Sequence, residues 1–418
     1  MRVVIIGINY FPEPTGIAVY TSDIARILVA RGHDVHVLTG LPHYPQWKVS
    51  ADDPSARSTV VEGVSVRRLS HPVPAVPTLR GRAWMEIVFG IRCLRVLNGT
   101  ARTADAVVCV SPALLSSAMV IGRLTLRRRR PALGLWIQDV YSRAGIETGA
   151  VGTRGARLIA SVESATARRA DGVLAIHERF ARILVSSLRV DPQRVSIIRN
   201  WCHTHRTEFA SRAAARSVLG WDAAGRYIAV HAGNMGAKQD LDNLVSAARV
   251  SHGRGSPVDF VLIGDGNQRA RLEGLGRDVP TLSFRDPLPG PDFQAALQAA
   301  DVVLVNEAPD VREMALPSKL TSYFESGTPV VAATSADSVT AEEVAAAGAG
   351  VRVDPGQPAL LADAVLEVAR DAAASRRYGD NARRYVDVVL DRERAADQFE
   401  SWLQSIVRDR SAAPSQDR

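Results

Sequence analysis

Short, unbroken apolar runs alternate with segments of helical spacing along almost the whole chain. Residues 3–8 form the first run. Val19, Ile24, Ile27 and Leu28 then recur at helical spacing, and residues 35–39 form the next run. A continuous apolar run between turn residues reads as a strand buried on both faces, which is the pattern of a parallel sheet. A strand–helix–strand unit of this kind joins parallel strands by a right-handed crossover and predicts a doubly wound sheet. Further strands are expected at 64–69, 106–110, 133–137, 172–175 and 195–199, with helices at 84–102, 158–169 and 176–185. Residues 41–45 and 49–57 read as loop. The alternation begins again at 227–231. Strands follow at 260–263, 281–284, 302–305, 330–332 and 351–353, and helices near 241–249, 268–275, 293–299, 320–326, 360–374, 375–389 and 392–407. Two arrays of similar size predict an α/β chain of two Rossmann-like domains facing a cleft. The expected division is 1–205, 206–385, a helix at 386–410 returning to the first domain, and a disordered tail at 411–418.

At 418 residues the chain is long enough for two cores, and its 23% of charged residues suits a soluble protein. Cys93, Cys109 and Cys202 have no metal-ligand spacing and sit among apolar residues, which fits a reducing cytosol. Met1 leads straight into a strand with no cleavage-site pattern, and no stretch is apolar enough to span a bilayer. The expected location is therefore cytoplasmic, with peripheral attachment to the inner membrane face as an option. The charge is unevenly placed. Residues 1–200 carry net +13, the remainder net −6. Such asymmetry points to an anionic partner for the first half. No nucleic-acid motif accompanies it, so an anionic membrane surface or a phosphorylated lipid is the expected partner. Residues 84–102 form a basic amphipathic helix, with Trp84, Ile87, Val88, Ile91, Leu94 and Leu97 on one side, which fits this reading and equally suits a helix packed on its own domain's sheet.

Loops of the second array could hold a diphosphate. Gly233 and Asn234 open a glycine-bearing loop that ends at Lys238, a point charge suited to phosphate. Gly264, Asp265 and Gly266 form a tight turn at a strand end. Pro317, Ser318 and Lys319 open a helix that closes at Gly327, so free N–H groups and an ammonium face the same way. In the first array, Gly16 lets a ligand approach the backbone closely. Asp139, at the carboxyl end of a strand, is a candidate acid/base group and equally suits a helix N-cap. His43 is a second candidate, with a surface loop histidine as the plainer alternative. His177 also suits a helix cap.

These segments resemble the retaining glycosyltransferases of family 4, which have the two-domain GT-B fold. The resemblance rests on GINYFPEPTGIAVYTSDIARILVARGHDVHVLTGLPHYP at 7–45, WIQDVYSRAG at 136–145, HAGNMGAKQDLDNLV at 231–245, LIGDGNQR at 262–269 and LPSKLTSYFESGTPVVA at 316–332. The first and last are most similar to colanic-acid-type and O-antigen sugar transferases. The resemblance implies transfer of a sugar from a nucleotide-diphosphate donor to a hydroxyl acceptor with retained anomeric configuration. It implies that no metal and no other cofactor is required, because basic side chains and a helix dipole neutralise the leaving group. It places Gly16 and Lys238 against the donor phosphates, Gly264–Gly266 near the nucleoside, and Ser318 and Lys319 on the diphosphate. Asn234 departs from the family, where many members have arginine. The usual pair of glutamates is also imperfect. The first falls near Glu313, taken as a donor-sugar contact. The second falls on Ser322, which can offer a ribose only a hydroxyl, while Glu325 lies on another face. A polyprenyl-diphosphate-linked sugar is the acceptor that best explains the basic first half. A natural-product glycosyltransferase, a nucleotide-sugar 2-epimerase and an inactive scaffold of the same fold remain open on the sequence.

Overall fold

The structure is a computed structural model that describes residues 1–13, 16–49, 58–76, 78–142, 152–203, 207, 209–221, 225–311 and 318–412. The chain divides into two compact units: residues 1–200 with the C-terminal segment from 392, and residues 201–391. The expected sites at Glu313 and Pro317 lie outside the described residues.

In the first unit the chain runs β1 (Arg2–Ile6), α1 (Ile17–Ala30), β2 (Asp34–Gly40), β3 (Ser58–Val61), β4 (Val64–Leu69), α2 (Leu79–Thr100), β5 (Ala106–Ser111), α3 (Leu114–Thr125), β6 (Ala132–Ile137), α4 (Thr153–Arg169), β7 (Gly172–Ala175), α5 (Glu178–Ser186) and β8 (Val195–Ile197). The sheet order is β3-β4-β2-β1-β5-β6-β7-β8. β3 pairs antiparallel with β4, and the other neighbours are parallel. Every residue of β5, β6 and β7 is buried, as strands covered by helices on both faces must be.

In the second unit, α6 (Arg212–Val218) precedes β9 (Tyr227–Ala232), α7 (Asp242–Gly253), β10 (Val258–Ile263), α8 (Arg269–Leu275), β11 (Leu282–Arg285), α9 (Gly290–Ala299), β12 (Val302–Asn306), α10 (Lys319–Ser326), β13 (Val330–Ala333), α11 (Val339–Ala347), β14 (Gly350–Val353), α12 (Pro358–Arg370) and α13 (Ala372–Val389). The order β11-β10-β9-β12-β13-β14 is parallel throughout. Alternate residues feed two cores, Val230, Val303 and Val305 one face, Ala229, Leu304 and Phe260 the other. The chain winds outward from β9 to β11, then returns to place β12 on the other side of β9. Ligand crevices form at such a reversal, outside the carboxyl ends of the strands.

The last helix, α14 (Arg392–Ala412), belongs to the first unit. Its apolar face covers two strands through a glycine notch. A Cβ on Gly134 would lie 2.5 Å from the Trp402 ring, and one on Gly172 2.5 Å from Ile406. Phe399 meets Trp136 edge to face at 5.1 Å. Arg31 pairs with Glu393, Asp397 and Glu400, and Arg392 grips Asp23 through two hydrogen bonds.

The single apolar side expected of α2 is split in the structure. Its buried ridge is Met85, Phe89, Cys93 and Leu97, whereas Trp84 is 59% and Ile91 38% exposed. The cause is Gly90, where an added Cβ would meet Met119 Sδ at 2.9 Å and Ser116 Cα at 3.1 Å. This close approach of α3 fixes the rotation of α2 and leaves the second apolar stripe at the surface. No range was expected for β3, α3, α6 or α11. Among the described residues no helix is long and apolar enough to cross a membrane.

Candidate functional site

At the carboxyl end of β9 the run YIAVHA places a histidine, an alanine and then Gly233. His231 is fully buried, and its Nδ1 lies 3.2 Å from the Leu304 carbonyl of β12. With Nδ1–H donating there, Nε2 is left as an acceptor for the Lys319 ammonium 3.2 Å away. Burial first, and the Lys319 charge second, push His231 well below its ordinary range, so the ring is neutral. Burial likewise pulls Lys319 down from 10.5 to about 7, with Glu307 acting in the opposite direction. The half-buried Lys319 side chain crosses Gly233, where a Cβ would meet Nζ at 3.3 Å. Gly233 also has φ +135°, so a side chain there would be both strained and in the way.

Tyr323 holds the helix that delivers Lys319. Its buried hydroxyl accepts from Ala232 N–H at 2.8 Å and lies 3.1 Å from the Ala232 carbonyl and 3.3 Å from that of Leu304. One atom of α10 therefore grips both strands that flank the reversal. Tyr323→Phe orphans the Ala232 N–H, and the expected loss is about 1–3 kcal/mol by urea unfolding. A loss below about 0.3 kcal/mol would show that the hydroxyl is not a tie.

The loops after β9 and β10 are zipped together. Gly233 N–H donates to Ile263 at 2.9 Å, Met235 N–H to Asp265 at 2.8 Å and Gln268 N–H to Met235 at 3.0 Å. Gly266 faces Asn234, whose Oδ1 would lie 2.8 Å from an added Cβ. On the other side, Asn306 Nδ2 donates to the Gln239 and Asp240 carbonyls at 2.8 Å each, and Ala308 N–H to Lys238 at 3.0 Å. Glu307 is buried and accepts from the Thr334 hydroxyl and, at 2.8 Å, from that of Thr340. Burial raises its carboxyl, and the charges of Lys319 and Lys238 oppose this. Lys319 and Lys238 thus both act on one buried carboxylate. Gly233, Asn234, Gly264, Gly266 and Lys319 stand together here, and Lys238 is near enough to Glu307 for its charge to act on it. Ser318 is exposed at the start of α10, and its side chain makes no cap hydrogen bond. Ser322 and Glu325 are both buried within α10, at 5% and 6% exposure.

The first unit gathers a separate cluster at its own strand ends. Buried Glu13 accepts from the N–H groups of His43 at 2.9 Å and Tyr44 at 3.0 Å, and from Asn9 Nδ2 at 2.8 Å. His43 is not a surface histidine. Its side chain is 2% exposed, its Nδ1 lies 2.9 Å from the Leu41 carbonyl, and its ring meets His71 at 5.0 Å. Burial lowers His71 to about 4, leaving it neutral. Gly16 faces Tyr44, whose ring would lie 3.6 Å from an added Cβ. Asp139 is half-buried, near enough to Tyr44 for its charge to add to the effect of burial in raising that phenol. The backbone after Asp139 is held by Glu163, which accepts from Tyr141 N–H at 2.8 Å and Ser142 N–H at 3.1 Å. His177 caps α5, its Nδ1 accepting from Arg179 N–H at 3.1 Å.

His231, Glu307, Tyr323 and Glu13 were missed from sequence. The only signal for His231 is a polar residue inside an otherwise apolar strand. Glu307 shows as the first acidic residue after β12.

Residues 15–201 match the family described as glycosyl transferase 4-like domain, and residues 226–371 match glycosyl transferases group 1. The putative colanic acid biosynthesis glycosyl transferase WcaI of Escherichia coli (strain K12) is 28% identical over 413 residues, covering 96% of this chain and 98% of that protein. Among solved structures, sucrose-phosphate synthase from Thermosynechococcus elongatus aligns with a TM-score of 0.78 at 18% identity, over 98% of this chain and 99% of the other. Anabaena Alr3699/HepE in complex with UDP aligns with a TM-score of 0.69 at 15% identity, over 97% and 100%.

Proposed function

Because the chain belongs to the family 4 glycosyl transferases of the GT-B fold, we propose that it moves a sugar from a nucleoside diphosphate to a hydroxyl acceptor with retained configuration, in the assembly of a cell-surface polysaccharide or glycolipid. The observation that carries this reading is Lys319. It stands at the first turn of α10, crosses Gly233 and is fixed by neutral His231. A departing diphosphate gains negative charge as the glycosidic bond breaks. Fixed positive groups aimed at it act where the transition state differs most from the ground state. Lys319, Lys238 and the N-terminus of α10 supply that field, and the reaction needs no metal ion. The zipped turn Gly264–Gly266 lies beside the nucleoside, and the donor-sugar role of Glu313, outside the described residues, rests on the family resemblance alone. Asp139, half-exposed at a strand end, is the better acceptor-side group, because His43 is buried with Nδ1 already engaged.

The donor reading is supported by HepE, a protein of the same fold whose structure holds UDP, and the polysaccharide reading by the colanic acid transferase of similar length. The acceptor is a sugar on a lipid diphosphate, reached from the inner face of the membrane, to which the exposed Trp84 and Ile91 stripe of α2 and its arginines dock. A panel of nucleoside diphosphates in a thermal-shift assay tests the donor. One base should raise Tm by several degrees at 100 times its Kd, where linkage adds about 2.7 kcal/mol. No shift with any nucleotide would sink the reading.

A further inference from the structure

The parallel sheet of the second unit has a second end. There a cavity of about 430 Å³ is lined by Arg212, Arg370, Arg376, Arg383, Asp301 and Asp380, among others. Tyr227, the first residue of β9, lies on its wall, and Asp301 directly precedes β12. The cavity therefore opens at the amino ends of the strands, opposite the Lys319 cluster. Arg376 and Arg383 are two turns apart on α13 and share one face of it. Gly379, between them, lets α13 cross the end of α10, since a Cβ there would lie 2.2 Å from the Gly327 carbonyl.

Charge in this cavity is not balanced. Asp301 is already committed: it accepts from Arg212 at 2.8 Å, Arg216 at 2.6 Å and Ile228 N–H at 2.7 Å. Arg383 spends one N–H on the Ser326 carbonyl at 3.1 Å. Arg370 and Arg376 have no hydrogen-bond or ion-pair partner among the described residues. Four guanidinium groups thus face two carboxylates, in the half of the chain that is net negative. Arg370 at the end of α12 suits that helix's dipole. Arg376 stands in the second turn of α13, whose first turn is capped by the Asp371 carboxylate. Guanidinium forks without partners match phosphate oxygens in charge and geometry, and the volume is that of a small-ligand site.

We propose that this cavity is a second anion site, for a phosphorylated small ligand, separate from the donor site and at the opposite edge of the sheet. Its occupant meets Arg383, which holds the last turn of α10, the helix whose first residue is Lys319. The site is defined by its own residues and stands whether or not the Lys319 cluster binds a donor.

Calorimetric titration of inorganic diphosphate at constant ionic strength tests it, on the wild type, R370Q/R376Q and K238A/K319A. The wild type should show two binding events. R370Q/R376Q should weaken one at least tenfold, and K238A/K319A should remove the other. Both arginines are exposed, and far-UV circular dichroism checks that the variants fold. Wild-type stoichiometry and affinity in R370Q/R376Q would overturn the proposal. So would a single wild-type event that K238A/K319A abolishes. Two events that both survive K238A/K319A would count against the donor site and not against this one. Competition by uridine 5′-monophosphate and by glucose 1-phosphate then separates a nucleotide occupant from a sugar phosphate.

Discussion

Lys319→Ala is expected to lower kcat/KM about 100- to 1000-fold, the usual cost of removing one fixed group from a developing anion. The fold should persist, because the ammonium faces a half-open loop cluster and Tyr323 anchors α10 independently. The pH dependence adds a sharper signature. Burial holds Lys319 near 7 instead of 10.5, so the unliganded protein loses this charge as pH rises through neutrality. A bound diphosphate favours the protonated form and takes up a proton above pH 7. Donor affinity should therefore fall about 25-fold between pH 7.5 and 9, approaching one order per unit above the pKa. Lys319→Arg, charged throughout this range, should flatten that profile. Folding stability moves the other way. The unfolded chain holds this proton up to its ordinary range, so it binds more protons between pH 7 and 10.5, and this group's contribution to stability rises with pH there. Wild-type turnover in Lys319→Ala, or an unchanged pH profile in Lys319→Arg, would remove Lys319 from the site.

What sequence could supply here was local. Apolar runs without alternation gave the buried parallel strands, and glycines after strand ends marked the loops that meet around Gly233. Ser318 and Lys319 were legible because a helix start has a local signature. His231 and Tyr323 were not, since each works through a carbonyl on a strand more than 15 residues away in sequence: His231 to Leu304, Tyr323 to Ala232. Nothing in YIAVHA or LTSYFES says which carbonyl will stand opposite. The splitting of the apolar side of α2 was illegible for a similar reason. That helix carries two apolar stripes, and only the contact of Gly90 with α3 decides which is buried. His43 looked like a loop histidine because its burial comes from Glu13, His71 and Trp47, three separate segments. β3 was hidden because its exposed edge position relaxes the apolar pattern.

Gly264→Ala is expected to be the most damaging single methyl addition at the site. Gly264 has φ +139°, and an added Cβ would lie 2.0 Å from the Gly233 carbonyl oxygen. Neither atom can yield cheaply, because both belong to backbone. Gly233 is tied to Ile263 and Gly264 to Arg285 by their own N–H groups. Backbone strain and overpacking together should cost about 4 kcal/mol. For a unit of this size the corresponding fall in Tm is about 10 °C. Gly255→Ala separates the two causes. Gly255 has φ +65° with nothing within 4 Å of the added Cβ, so only strain applies, about 1 kcal/mol. Any Gly264→Ala protein that folds must shift the Gly233 loop, and with it the surface that Lys319 crosses. Its nucleoside diphosphate affinity should therefore drop more than its stability predicts, while Gly255→Ala binds normally. A Tm within about 2 °C of wild type for Gly264→Ala, with nucleotide affinity unchanged, would mean that the two turns are not in the contact on which the site is built.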